Sequence, residues 1–208
     1  KDGEEPFDVE IERASIKVAT VEGEILEGNI AYISLRSFSD QTDEELHAIL
    51  EELLAQEPEG LIIDLRNNPG GLLRTAVAVT SEFLTEGVVL YEEYSDGSRD
   101  IHEVTQGGLA TEIPLVVLVN NGSASASEIT AGAIQDYQRG KIVGTTTYGK
   151  GSVQNWIPLD NDQGAVKVTI ARWLTPNGRL IHEVGLTPDY IVELTEEDYE
   201  AGIDPQLD

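Results

Sequence analysis

Residues 114–136 read PLVVLVNNGSASASEITAGAIQD. The first seven, PLVVLVN, form an unbroken apolar run with the length and composition of a strand buried on both faces. From about 125 to 138 the spacing is helical. Between the two lies NGSASASE (121–128), three serines at alternate positions among small residues. A buried strand that turns straight into a helix is the repeating unit of an α/β fold, so this stretch fixes the class. Its serines then raise a chemical question. Ser125-Ala-Ser-Glu128 is in itself a capping box, which stabilises a helix start by roughly 1 kcal/mol without catalysis. The small flanking residues also leave room for another chain. A serine at a helix N-terminus has backbone N–H groups beside it that can hold an oxyanion.

Working outward, GLIIDL (60–65) is a second buried-type strand. It breaks at RNNPGG (66–71), and a helix follows over roughly 71–85. NIAYISLR (29–36) and KIVGTT (141–146) read as further strands, and FDVEIERASIKVAT (7–20) alternates as another. Thr42 opens a helix with Leu46, Ile49, Leu50, Leu53 and Leu54 on one face, ending near Glu57-Pro58. Thr42 with Glu45 reads as its capping box. Strands near 88–94 and 99–104 flank SDGS, a hairpin signal. Residues 165–173 and 178–184 read as a strand pair around Thr175-Pro176-Asn177-Gly178.

The composition sets limits. At 208 residues one domain is expected, and 40% apolar residues suffice for a core. There is no Cys, which removes thiol catalysis and thiolate metal sites, and no Met, which points to a mature product or an excised piece. No apolar run approaches the roughly 18 residues of a membrane span. The formal charge of −26 disfavours nucleic acid and anionic membranes as partners. The three histidines, His47, His102 and His182, are too dispersed to suggest a metal site.

In open α/β sheets ligands bind beyond the carboxyl ends of the strands. RNNPGG and NGSASASE are two such ends, each leading into a helix with unpaired N–H groups. A serine nucleophile also needs a base. His182 is the only histidine after Ser125, but no orienting carboxylate stands beside it. Lys150, in Tyr148-Gly149-Lys150-Gly151, lies away from the acidic segments. A lysine acts as a base only when neutral, a form that burial without a carboxylate partner favours. Gly-Lys-Gly also reads as an exposed turn, and without GxxxxGK[ST] a nucleotide-binding loop is not supported.

Taken together, GNIAYISLRSF (28–38), LIIDLRNNPGG (61–71), VNNGSASASEITAGAIQD (119–136), GTTTYGKGSVQ (144–154) and LTPNGRLIHEVGLTPD (174–189) resemble the carboxyl-terminal processing, or tail-specific, proteases of serine peptidase family S41. The five motifs stand in family order and cover most of residues 7–190. The resemblance implies a Ser-Lys endopeptidase cleaving proteins at or near their C-terminal region, with no cofactor and no metal. It implies Ser125 as nucleophile, Lys150 as general base and Gln154 as the residue orienting the amine. Oxyanion donors are implied at Gly70, Gly71 and the Ala126 N–H. Asp136 is also a family position. It lies eleven residues beyond Ser125, about three helical turns and roughly 16 Å along the axis, so it reads as a structural anchor.

The fold expected is an α/β core of the ClpP/crotonase-like sort, with a smaller β-rich part formed from both chain ends. A single peptidase core over 1–208 is expected, with residues 1–13 as the remnant last strand of the PDZ domain that family members usually carry. Partners are protein or peptide substrates, and the family places the chain outside the cytoplasm, in periplasm, cell envelope or secreted. Two other readings stay open. One is a peptide-binding core, inactive or resting without a PDZ domain. The other is a hydrolase that uses His182.

Overall fold

The computed structural model describes residues 18–160 and 163–207. The strand expected over 7–20 and the remnant proposed for 1–13 lie almost wholly outside these residues. The described chain runs β1 (Val21–Leu26), β2 (Ile30–Leu35), α1 (Thr42–Leu54), β3 (Gly60–Asp64), α2 (Leu73–Ser81), β4 (Val88–Tyr94), β5 (Arg99–Glu103), β6 (Leu115–Val119), α3 (Ala126–Asp136), β7 (Lys141–Gly144), β8 (Ser152–Pro158), β9 (Ala165–Leu174), β10 (Tyr190–Ile191) and α4 (Glu196–Ala201).

Two sheets result. The larger has the order β1-β2-β3-β6-β7-β10, parallel throughout except for the antiparallel β1–β2 pair. Its register aligns Ile33, Ile63, Val117 and Ile142 across four strands, and all four are fully buried. Apolar runs buried on both faces are what a parallel sheet under helices requires, which is why β3 and β6 could be read from composition. Helix α1 buries Thr42, Leu46, Leu50 and Leu53 and lies on β1. Gly23 permits that approach, because a Cβ there would meet Ile49 Cγ2 at 2.6 Å.

The smaller sheet has the order β5-β4-β9-β8, antiparallel. The expectation that it is formed from both chain ends is corrected here. It comes from the middle of the chain, and the described ends supply the two edges of the large sheet, β1 and β10. The strand expected over 178–184 is also absent. The β9 strand pairs with β8 and β4 instead, and 175–178 closes a turn in which the Gly178 N–H donates to Thr175 O at 2.8 Å. Residues beyond that turn are taken by the glycine-rich segment: the Glu183 N–H donates to Gly149 O at 2.8 Å and the Leu186 N–H to Thr147 Oγ1 at 2.7 Å.

The Thr42–Glu45 capping box does not form. Glu45 Oε2 accepts instead from Thr20, through its N–H at 2.8 Å and its hydroxyl at 2.7 Å. Thr42 Oγ1 donates to Ser37 O and accepts the Ser39 N–H. A partner 25 residues away outcompetes the local one. The C-terminal segment returns to the large sheet, where Asp204 pairs with Arg66 at 2.7 Å. Burial works against the charge on Arg66, but Asp64 and then Asp204 outweigh it and raise its pKa.

Candidate active site

Strands β3 and β6 are neighbours in the sheet, so the loops after them lie side by side. Two of the three serines fasten these loops. The Ser123 hydroxyl donates to Leu65 O at 2.7 Å, and the Ser127 hydroxyl donates to Asn68 O at 2.9 Å; both serines are fully buried. Ser125, between them, is half-buried and is the N-cap of α3. Its backbone has φ 54 and ψ −112, a strained region for a residue with a Cβ. The alternation of the serines therefore separates two fully buried hydroxyls that fasten loops from the half-buried Ser125, which closes a capping box with Glu128 at the start of α3.

Gly70 closes the junction. It has φ 90, and a Cβ there would lie 2.5 Å from Ala124 O, 2.7 Å from Ala126 N and 2.9 Å from Ser125 Cβ. Only a residue without a side chain lets the two loops touch. The buried Asn68 shapes this turn: its Nδ2 donates to Leu35 O at 2.6 Å and its Oδ1 accepts the Gly70 N–H at 2.9 Å. The Gly70 N–H is therefore already engaged. The Gly71 and Ala126 N–H groups have no acceptor among the described residues.

Glu128 joins the third loop to the other two. It is fully buried, and each oxygen accepts two hydrogen bonds. Oε2 takes the Ser125 N–H at 2.8 Å and the Lys150 N–H at 2.9 Å. Oε1 takes the Gly149 N–H at 2.7 Å and the Thr147 hydroxyl at 2.5 Å. The sequence marks Glu128 as a cap and indeed its carboxylate meets the N-cap N–H. Its reach to residues 147–150, some 20 positions on, carries no local signal. On its other side the Lys150 carbonyl accepts the indole N–H of buried Trp173 at 3.0 Å.

The backbones of Ser125 and Lys150 are thus fixed to one atom, no further apart than two hydrogen bonds laid end to end. The half-buried Lys150 amine makes no hydrogen bond and no ion pair among the described residues, either to Ser125 or to a carboxylate. Gln154 stands exposed on β8, opposite Thr169, and its side chain is not bonded to Lys150. Asp136 is an anchor, as its position along α3 implies. Its carboxylate accepts the Asn177 N–H at 2.8 Å and pairs with Arg179. His182 packs its backbone against Gly151, and its Nδ1 is buried without a partner among the described residues, so no carboxylate orients it. A cavity of about 1310 Å³ opens elsewhere, beside Arg66, Asn67 and Asp204, and none of the candidate catalytic residues lines it.

Residues 29–192 match peptidase family S41. The chain is 42% identical to the carboxy-terminal-processing protease of Bartonella bacilliformis over 199 residues, 91% of this chain and 44% of that protein. It is 39% identical to the carboxy-terminal processing protease CtpA of Bacillus subtilis, over 90% of this chain and 40% of that protein. Among solved structures, the photosystem II D1 C-terminal processing protease superposes with a TM-score of 0.78 at 34% identity, covering 86% of this chain and 49% of that one. The chain thus spans less than half the length of each of these three proteins.

Proposed function

The chain belongs to peptidase family S41, and on that premise we propose that it is a serine endopeptidase of Ser-Lys dyad type, acting on proteins at or near their C-terminal region. The observation that carries this reading is the shared anchor: one buried carboxylate oxygen binds the backbones of Ser125 and Lys150, beside two N–H groups without acceptors. The names of the relatives supply the C-terminal substrate class. The assignment of the parallel sheet and its helices to a ClpP/crotonase-like core belongs to the same proposal.

In the mechanism, neutral Lys150 takes the Ser125 hydroxyl proton as Oγ attacks a peptide carbonyl. The carbonyl oxygen becomes an oxyanion, held by the Gly71 and Ala126 N–H groups. Collapse breaks the C–N bond, and the Lys150 ammonium returns its proton to the leaving amine. Water then attacks the ester, Lys150 again taking the proton, and the acid product leaves with Ser125 restored. Gln154 positions the amine once it turns toward Lys150.

A second reading has its own observation. The Lys150 amine makes no bond to Ser125 in this structure, which suits a resting core that is assembled by a further domain or by substrate. One experiment separates the readings. An unstructured protein is incubated with the chain and with Ser125→Ala, Lys150→Ala and His182→Ala. Cleavage that needs Ser125 and Lys150 but not His182 supports the dyad. Cleavage retained by Lys150→Ala refutes it, and an inactive parent chain favours the resting core.

A further inference from the structure

The charge of this chain is unevenly placed. Residues 137–182 hold 6 of the 13 basic residues but only 2 of the 39 acidic ones, a local net of +4 in a chain of −26. Several of these cations have internal work: Arg139 donates to the carbonyls of Phe83, Ala110 and Ile113, and Arg179 pairs with Asp136. Lys167 and Arg172, both on β9, have no carboxylate partner among the described residues. That is unexpected where acids outnumber bases threefold. Arg36, Arg66, Arg74, Arg99 and Arg179 each have such a partner.

The register gathers these cations on one face. Ser152 opposes Arg172, Gln154 opposes Thr169 and Trp156 opposes Lys167. Ser152, Gln154 and Trp156 alternate along β8 and share a face with their partners; the register shift between Val153 and Gln154 passes over Ile170 on β9, so Arg172 falls on the same side as Lys167 although five residues separate them. Gln154, Trp156, Lys167 and Arg172 are all exposed. The Lys167 amine rests over the Trp156 ring, 5.6 Å from its centroid. Among the described residues strand β8 is the edge of its sheet, and it starts two residues after Lys150. A basic, aromatic strip therefore leads straight out from the candidate base.

We propose that this face of the β8–β9 hairpin seats the extended substrate chain beside the scissile bond and selects segments that carry carboxylate side chains. The inference rests on the peptidase reading above. At about 3.3 Å per strand residue, the strip from Arg172 to Lys167 meets substrate positions roughly two to six residues from the scissile bond. Outside residues 137–182 the chain carries a net −30 (−26 less the local +4), which repels such a segment, so the strip is also where a carboxylate-bearing chain is steered. The indole face adds an apolar platform for the backbone between charges.

The test uses the full chain in two arms. Fluorescence anisotropy on Ser125→Ala measures binding of labelled unstructured peptides that are identical except for Glu or Gln at positions stepped along the sequence; where the parent cleaves them, mass spectrometry sorts each position as near, within six residues of the cut, or about twelve away. The parent chain gives kcat/KM for the same peptides. Two exposed ion pairs predict a roughly fivefold preference for the near Glu peptide. That preference disappears in Lys167→Gln/Arg172→Gln and at about 0.5 M salt, and it is absent for the distant position. Both cations are exposed, so an unchanged thermal midpoint serves as the folding control.

Equal binding of near Glu and Gln peptides, or a preference that survives the double substitution, overturns the proposal. So does a double variant that loses only its binding to phosphatidylserine vesicles, since that would make the strip a lipid contact. The two readings fail separately. Cleavage without discrimination removes this inference and leaves the peptidase. Discrimination in Ser125→Ala with no cleavage by the parent removes the peptidase and leaves the docking face.

Discussion

The backbone N–H groups of Ser125 and Lys150 donate to the same atom, Oε2 of Glu128, at 2.8 and 2.9 Å. The two residues are 25 positions apart in sequence, yet a single buried carboxylate sets their separation. The charge on Glu128 is balanced by four donors and by no cation among the described residues, so its place depends on those donors all being there.

Glu128→Gln tests this anchor. The amide presents an NH₂ group where one oxygen now accepts two donors, and buried hydrogen bonds to charge are worth about 1.5–3 kcal/mol each. Stability should fall by about 3 kcal/mol and kcat by roughly ten- to a hundredfold, with KM changed far less. Unaltered kcat in a folded Glu128→Gln would show that the anchor does not position the dyad.

Gly70→Ala should abolish cleavage. Its Cβ would enter the space of Ala124, Ser125 and Ala126 at a positive φ. Gly164 is the control, with φ 107 and open space around it. Gly164→Ala should cost only backbone strain, about 1 kcal/mol by chemical denaturation, and leave kcat/KM alone. Equal losses of activity in the two variants would mean that loop contact is not what Gly70 provides.

The three serines should separate by activity. Ser123→Ala and Ser127→Ala each delete a buried hydroxyl bond, to Leu65 O and Asn68 O, and should lose about 1 kcal/mol, read as a lower unfolding midpoint, while still cleaving below that midpoint. Ser125→Ala removes one half of the capping box with Glu128 and should lose a comparable amount, about 1 kcal/mol, but it alone should lose cleavage outright. Cleavage by a folded Ser125→Ala chain would remove that hydroxyl as the nucleophile.

Stability should depend on His47 in one direction of pH. The hydrogen bond to Glu82, then the Glu82 charge, raises its pKa in the folded chain. A raised value means the imidazolium is favoured by folding. That contribution is complete below the unfolded value of about 6.5 and is lost as pH rises through the higher folded one. His47→Gln should therefore differ most from the parent near pH 5 and converge with it at alkaline pH. A difference independent of pH in thermal melts would remove Glu82 as the cause.

How much of this was legible depended on the range of the physical cause. Strands β3 and β6 were readable because burial on both faces leaves an apolar run, and the hairpin around 95–98 because its turn residues are local. Strand β1 was missed, since VEGEIL leaves all but Val21 at least partly exposed and lacks a clear period. The strand expected over 178–184 failed because residues 183–186 bond to the 147–149 segment rather than to β9. The Thr42–Glu45 box failed because Thr20 supplies better donors to Glu45.

The site divides along the same line. The α/β class and the family motifs can be read from the chain, because burial patterns and motif spacing are local, and the resemblance those motifs carry names the candidate groups Ser125, Lys150, Gln154, Gly70, Gly71 and Ala126. That Gly70 gives its N–H to Asn68, that Ser123 and Ser127 fasten loops, and that Glu128 binds the backbones of Ser125 and Lys150 become visible in the folded chain alone. Each of these depends on segments far apart in the chain meeting at hydrogen-bond range. No period or local propensity encodes such a meeting, which arises when parallel strands bring successive loops to one rim.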